Sequence, residues 1–327
     1  MSARTPKRLP VNGKSLAQLA TGSARASAAA TLRRVPFPYR APTVPGGVEP
    51  NKVEPTLGSN YDTEWARSYP SRMARVLLVE GVLRPAMDLI AAPAVRGLDR
   101  LGEATGPLIF AANHHSHVDT PLLLSSIPEP WRHRIAIGAA ADYFFGTRVT
   151  APLSALVIGA IPIERSRVSR KSADDAAALI EDGWSFLIFP EGGRSPDGWG
   201  QPFRGGAAYL SLRCKAPVVP IHIEGTSRIM RKGAKLPRRS ATTITFGAPL
   251  WPDQGDDSRR FATRIEKAVE QLADEATSDW WTSRQRAHRG GTPSLQGPGA
   301  VGAWRRTWSL GDRSPRRRAR RRWPDLG

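Results

Sequence analysis

Six short apolar runs, each closed by turn residues, organise the middle of the chain: Pro107–Ala112, Arg134–Gly138, Ile158–Ile163, Ser185–Phe189, Val218–His222 and Thr242–Phe246. Each is five or six residues long, and most are apolar almost throughout, as strands buried on both faces are. Between them lie segments that read as helices, at Asp119–Ile127, Ser169–Asp182, Gly205–Cys214 and Ser258–Ala273. Strand and helix in alternation predict an α/β fold, a mostly parallel twisted sheet flanked by helices. Ligands of such sheets sit beyond the carboxyl ends of the strands. No internal repeat is visible.

Ahead of the first strand, Tyr61 to about Ala92 has helical spacing. Met73, Val76, Leu77, Val79, Val82 and Leu83 recur every three to four residues, with Arg72, Arg75, Glu80 and Arg84 between them. Pro85 is expected to break this segment into two short helices. The amphipathic face suits packing on the chain's own domain. It also suits a membrane interface, because the polar face carries Arg.

Composition divides the rest. Gly (30) and Pro (29) are abundant. Residues 1–60 and 283–327 are expected to be disordered tails around a helical segment, 61–94, and a folded domain, 95–282. The single cysteine, Cys214, excludes an internal disulfide framework and a Cys-rich zinc module. No run of about 20 apolar residues predicts a transmembrane helix, and no apolar core near the N-terminus predicts a secretory leader. The net charge of +19 belongs to the tails: residues 1–60 hold nine Lys/Arg against two Asp/Glu, and 283–327 twelve Arg against two Asp. Such tails call for an anionic partner, and Trp304, Trp308 and Trp323 among the arginines suit a membrane surface or a single strand of nucleic acid. The near-neutral middle argues against a groove for nucleic acid.

Three strand ends carry chemistry. After the first comes Asn113-His114-His115-Ser116-His117-Val118-Asp119. A carboxylate at Asp119 can fix the tautomer of His114 and leave its other nitrogen as a base. The same residues have two other uses. Ser116 with Asp119 is a capping box, and His115, His117 and Asp119 resemble part of a dinuclear metal-hydrolase motif, whose last His is here Thr120. At another strand end stands Phe189-Pro190-Glu191-Gly192-Gly193-Arg194-Ser195, where glycines admit a ligand to the backbone and Arg194 can grip a phosphate or carboxylate. The third is Gly159-Ala160-Ile161-Pro162-Ile163-Glu164-Arg165, ending in a cation.

Taken in order, these blocks resemble the signatures of the glycerolipid acyltransferase family: Asn113-His114-x-Ser116-x-x-Asp119, Gly159-x-Ile161-x-Ile163-x-Arg165, Phe189-Pro190-Glu191-Gly192-x-Arg194-Ser195 and Val218-Val219-Pro220-Ile221. Phe203-Arg204-Gly205-Gly206 and Phe246-Gly247-x-Pro249 fit as well. The resemblance implies His114 as general base, oriented by Asp119, taking a proton from an acceptor hydroxyl that attacks an acyl thioester. The thioester would be acyl-CoA or acyl-ACP, the acylated form of acyl carrier protein. Arg165, Glu191, Gly192, Gly193, Arg194, Ser195 and Arg204 would bind substrate, with no metal and no cofactor. The implied acceptor is a lysolipid, 1-acyl-glycerol-3-phosphate first, in phospholipid biosynthesis. The implied location is peripheral, on the cytoplasmic face of the cell membrane, with the basic tails on anionic lipid. Three departures stand out. Gly193 replaces a usual Thr, Arg204 replaces a usual Lys, and Gly138-Ala139-Ala140-Ala141-Asp142-Tyr143 lacks a Lys common there. The last leaves room for another lipid acceptor bearing a hydroxyl.

Overall fold

The apolar runs become strands of one sheet. The structure, a computed structural model, describes residues 57–297 apart from 103, 165–169, 196–197 and 231–235. The expected tails 1–60 and 283–327 therefore lie largely outside the described residues, as does Arg165. The strands are β1 (Pro93–Arg96), β2 (Ile109–Ala112), β3 (Ile135–Ala140), β4 (Ala160–Ile163), β5 (Ser185–Ile188), β6 (Val218–Glu224) and β7 (Thr242–Phe246), in spatial order β1-β7-β6-β2-β5-β3-β4. From β6 to β4 all neighbours are parallel, and β7 runs antiparallel to β6. β1, unforeseen in the sequence, pairs parallel with β7 at the sheet edge. Its four residues begin with Pro93, which an edge tolerates because no ladder donor is needed there.

Helices cover both faces. On one side Val79, Met87, Leu122, Leu123 and Ile127 pack with Phe110, Ile137 and Ile221 of the strands. On the other, Ala176, Ala177, Ile180, Ala207, Ala208, Phe261 and Ile265 pack with Ile109, Phe186 and Val218. β2 lies inside, and all four of its side chains are buried. This explains why it reads as a continuous apolar run rather than an alternating one.

The N-terminal helix does not break at Pro85. α1 (Tyr69–Leu78) passes through a π-helical turn, Val79–Leu83, into α2 (Arg84–Ala91). Arg84 N–H donates to Val79 five residues back. The widened turn makes room for the proline ring, which would collide with a carbonyl in an uninterrupted α-helix. The faces also differ from expectation. Arg75, placed on the polar face in the sequence, is buried. Its guanidinium donates to the carbonyls of Leu156 (2.8 Å), Ala66 (3.0 Å) and Ala155 (3.0 Å). Two of these carbonyls close the end of α5 (Thr150–Ile158), where a cation is favoured. Burial, then the neighbouring Arg67 and Arg72, bring Arg75 down to about 10, so it remains charged at neutral pH. Met73, Leu77, Val82 and Leu89 point outward instead, with Leu77 71% exposed. Because α2 leads directly into β1, the boundary at 94/95 falls inside a strand. At the other end, α10 (Trp280–His288) and a turn to residue 297 pack on α9 (Ser258–Thr277), so ordered structure continues past 282.

Candidate active site

The carboxyl ends of β2 and β5 are neighbours in the sheet, and the loops leaving them are laced together. Asn113, fully buried, continues β2 with its side chain. Its amide donates to Ile223 O (2.8 Å) and its oxygen accepts from Ile223 N–H (2.7 Å). This pins the start of the His-rich loop to β6. From the β5 side, Ser195 N–H donates to His114 O (2.8 Å), and Glu191 Oε1 accepts from His114 N–H (2.8 Å).

His114 and Asp119 meet. His114 Nδ1 lies 2.9 Å from Asp119 Oδ2. The same oxygen accepts from the backbone N–H groups of His115 (2.7 Å) and Ser116 (2.8 Å). Asp119 is wholly buried at the start of α3 (Asp119–Ser126). Nδ1 faces a carboxylate, so it carries the proton, and Nε2 keeps its lone pair. The imidazole plane is held by Phe189, stacked at 4.1 Å between centroids. Of the capping box only one half forms, the Ser116 N–H to Asp119 bond, while Ser116 Oγ donates to Met230 O (2.9 Å). One carboxylate starts the helix and orients the base.

The metal reading fares differently. Asp119 Oδ2 is filled by three N–H donors, and His117 stacks on Tyr143 at 5.0 Å. His222 is buried in β6, held neutral by burial and by His115, with its pKa pushed down to about 3. Among the described residues the one grouping of possible ligand atoms is Glu80, Glu129 and His133, and it includes no residue of the His-rich loop. There Arg132 already donates to Glu80 (2.7 Å).

The other expected residues divide. Gly192, Gly193 and Arg204 line the same cleft as His114. Gly192 has φ +72°, and a Cβ there would fall 2.9 Å from the Arg204 guanidinium, so only glycine lets that cation lie against the turn. Glu191 and Ser195 are buried and serve the loop itself. Both Glu191 oxygens accept backbone N–H groups, from His114 and from Gln201 (3.0 Å), and Ser195 Oγ accepts from Gly198 N–H (2.8 Å). Burial raises Glu191 to about 7, against those two bonds. Arg194 accepts through its carbonyl from the Gln201 amide. Arg165 follows the cleft-lining Glu164 and lies outside the described residues.

The cleft itself was not foreseen in shape. Counting its open mouth it spans about 940 Å³, between the ends of β3 and β4, α5, and the two loops. Its walls are mostly apolar, with Ile137, Gly138, Ile158, Ile163, Ile188 and Phe189 prominent, and its charged or ionisable lining includes His114, Glu164 and Arg204. His117 and Thr120 also line it. The sequence marks His117 only as a possible metal ligand, and Thr120, next to Asp119, only as the position of that motif's missing last His. The missing Lys position is here the apolar wall Gly138–Ala140.

Residues 93–224 match the Acyltransferase family. Among curated relatives, the chain is 29% identical to 1-acyl-sn-glycerol-3-phosphate acyltransferase BAT2, chloroplastic, of Brassica napus, over 50% of this chain and 46% of that one. It is 25% identical to 1-acyl-sn-glycerol-3-phosphate acyltransferase alpha of Ovis aries, over 60% and 65%. The match thus spans less than two thirds of either relative. Among solved structures, the 1-acyl-sn-glycerophosphate (LPA) acyltransferase PlsC of Thermotoga maritima shares the fold, with TM-score 0.53, 23% identity, and 67% and 84% of the two chains covered.

Proposed function

We propose, since residues 93–224 match the Acyltransferase family, that this chain moves a fatty acyl group from an acyl thioester to a hydroxyl of a lysolipid, with 1-acyl-glycerol-3-phosphate the first candidate acceptor. The observation that carries this is the His114–Asp119 pair, 2.9 Å apart, with His114 lining a mostly apolar cleft. His114 Nε2 takes the proton of the acceptor hydroxyl as its oxygen attacks the thioester carbonyl carbon. The tetrahedral intermediate collapses with loss of the C–S bond, and the imidazolium returns its proton to the departing thiolate. An ester and a thiol result. Asp119 stabilises the imidazolium formed in between. The apolar length of the cleft suits an acyl chain, and Arg204 beside Gly192 suits the acceptor's anionic group, joined in this reading by Arg165 and Arg194. The donor is acyl-CoA or acyl-ACP, and the chain's own residues supply the acid–base chemistry.

A peripheral position on the cytoplasmic side of the membrane follows from the same reading. Among the described residues no helix is long and apolar enough to cross a membrane. The exposed Tyr69, Met73, Leu77, Val82 and Leu89 offer an apolar face to lipid instead. The apolar Gly138–Ala140 wall, without a cation, favours a second acceptor class, a larger lipid bearing a hydroxyl. The test is thiol release from acyl-CoA with a panel of lysolipids. Release should require the acceptor and vanish in folded His114→Ala. Full activity of that variant, or release indifferent to every lipid, overturns the proposal.

A further inference from the structure

A short segment far from the family match reaches back to the catalytic loop. After α10 the chain turns, and Ser294–Gly297 lies against α9 and against Trp199-Gly200. Ser294 Oγ and Leu295 N–H donate to Glu270 Oε1 (2.6 and 3.2 Å), and Gln296 Nε2 donates to Glu266 Oε1 (2.6 Å). Glu266 also accepts from Phe203 N–H (3.4 Å), next to Arg204. Gly200 N–H donates to Leu295 O (2.8 Å). The contact is close: a Cβ on Gly297, whose φ is +74°, would sit 2.7 Å from the Trp199 ring, and one on Gly200 would sit 3.0 Å from Leu295. The next residue, Gln201, donates its N–H to Glu191 Oε2 (3.0 Å), and Glu191 Oε1 holds His114 N–H (2.8 Å). A continuous path of hydrogen bonds and adjacent residues joins residue 295 to the catalytic histidine.

We propose that Ser294–Gly297 is a positioning strap for the catalytic loop, setting His114 through Gly200, Gln201 and Glu191; this rests on the acyltransferase reading above. A lone helix-to-loop contact would stabilise the fold without touching the base. Here the strap ends on the one carboxylate that grips the His114 backbone. The groups facing Glu191 make its charge sensitive to this hold. Its burial, Asp119 on α3 and Glu266 on α9 disfavour ionisation, while the His114 and Gln201 N–H groups favour it. Releasing Gln201 removes one of the two favourable bonds. The ionisation midpoint of Glu191 then rises, and near neutral pH it binds the His114 backbone more weakly.

The test uses the full chain with Ser294→Ala/Gln296→Ala, which cuts the strap's anchors, and with Gly297→Val, which drives it off Trp199. Thermal melting checks folding, and Val269→Ala, buried in α9, serves as a control for plain destabilisation. The acid limb of the kcat profile should move up by about one pH unit in both strap variants. At pH 7 kcat should fall about three- to tenfold with KM for the lysolipid little changed. The pH midpoint of the His114 amide NMR signal, read without turnover, should move by the same amount. Unmoved midpoints in both variants, or an equal movement in Val269→Ala, overturn the strap. A moved amide midpoint in a protein that releases no thiol upholds the strap as a support of the loop and refutes the acyltransferase reading instead.

Discussion

Asp119→Asn separates the charge of the orienting carboxylate from its shape. In the structure one oxygen, Oδ2, accepts three N–H groups, while Oδ1 is buried with no hydrogen-bond partner. An asparagine has two ways to sit. With its NH₂ at the crowded position it would face two fixed backbone donors, an arrangement that repels. With its oxygen there it keeps all three bonds and sends NH₂ to the unpartnered side. The second wins, so the proton stays on His114 Nδ1 and Nε2 remains basic. What is lost is the attraction between carboxylate and imidazolium in the transition state. For centres of charge about 4 Å apart at an effective dielectric of about 20, that is about 4 kcal/mol, or roughly a thousandfold in kcat. KM for the acceptor should change little, because no cleft-lining group moves. Steady-state thiol release on the folded variant measures both. A loss under tenfold would refute the imidazolium step. A folded variant with raised KM and unchanged kcat would place Asp119 in substrate binding.

Gly138→Val builds into the cleft wall, where a Cβ would already meet Ile163 Cδ1 at 2.7 Å and Phe186 at 3.3 Å. Turnover of an acyl-CoA series should shift toward shorter chains, and an unshifted profile would place the acyl chain elsewhere. Replacing Met73, Leu77 and Leu89 together by Glu should weaken sedimentation with lipid vesicles at least about tenfold, since each apolar side chain contributes roughly 1 kcal/mol or more when buried; unchanged partitioning would remove this face from the interface. Glu191 has its folded pKa raised to about 7 from an ordinary 4.5, so the native state holds its proton longer than the unfolded chain. Its contribution is present below about pH 4.5 and lost as pH rises toward 7, a difference of about 3 kcal/mol. Urea unfolding should show that fall in the wild type relative to Glu191→Gln, and parallel curves for the two would contradict it.

The central strands were legible because they are buried on both faces and therefore apolar along their length. The sequence by itself determined β2 to β7 nearly in full, the helices that cover them, and the His114–Asp119 pair, whose spacing lets one turn of chain bring carboxylate to imidazole. It missed α5, Thr150–Ile158, whose residues are apolar on nearly every side and show no helical period. It also missed β1, whose residues Pro93–Arg96 alternate between half-buried and exposed and so form no continuous apolar run. Only the tertiary structure decided which way the N-terminal helix faces, because Arg75 finds its three carbonyls on residues 66, 155 and 156. The same holds for Glu191, read as a ligand of the head group. Its partners, the N–H groups of His114 and Gln201, lie 77 residues upstream and 10 downstream. Local spacing specifies what neighbours along the chain can do to one another. The role of a buried charge is set by the donors and carbonyls that folding brings to it.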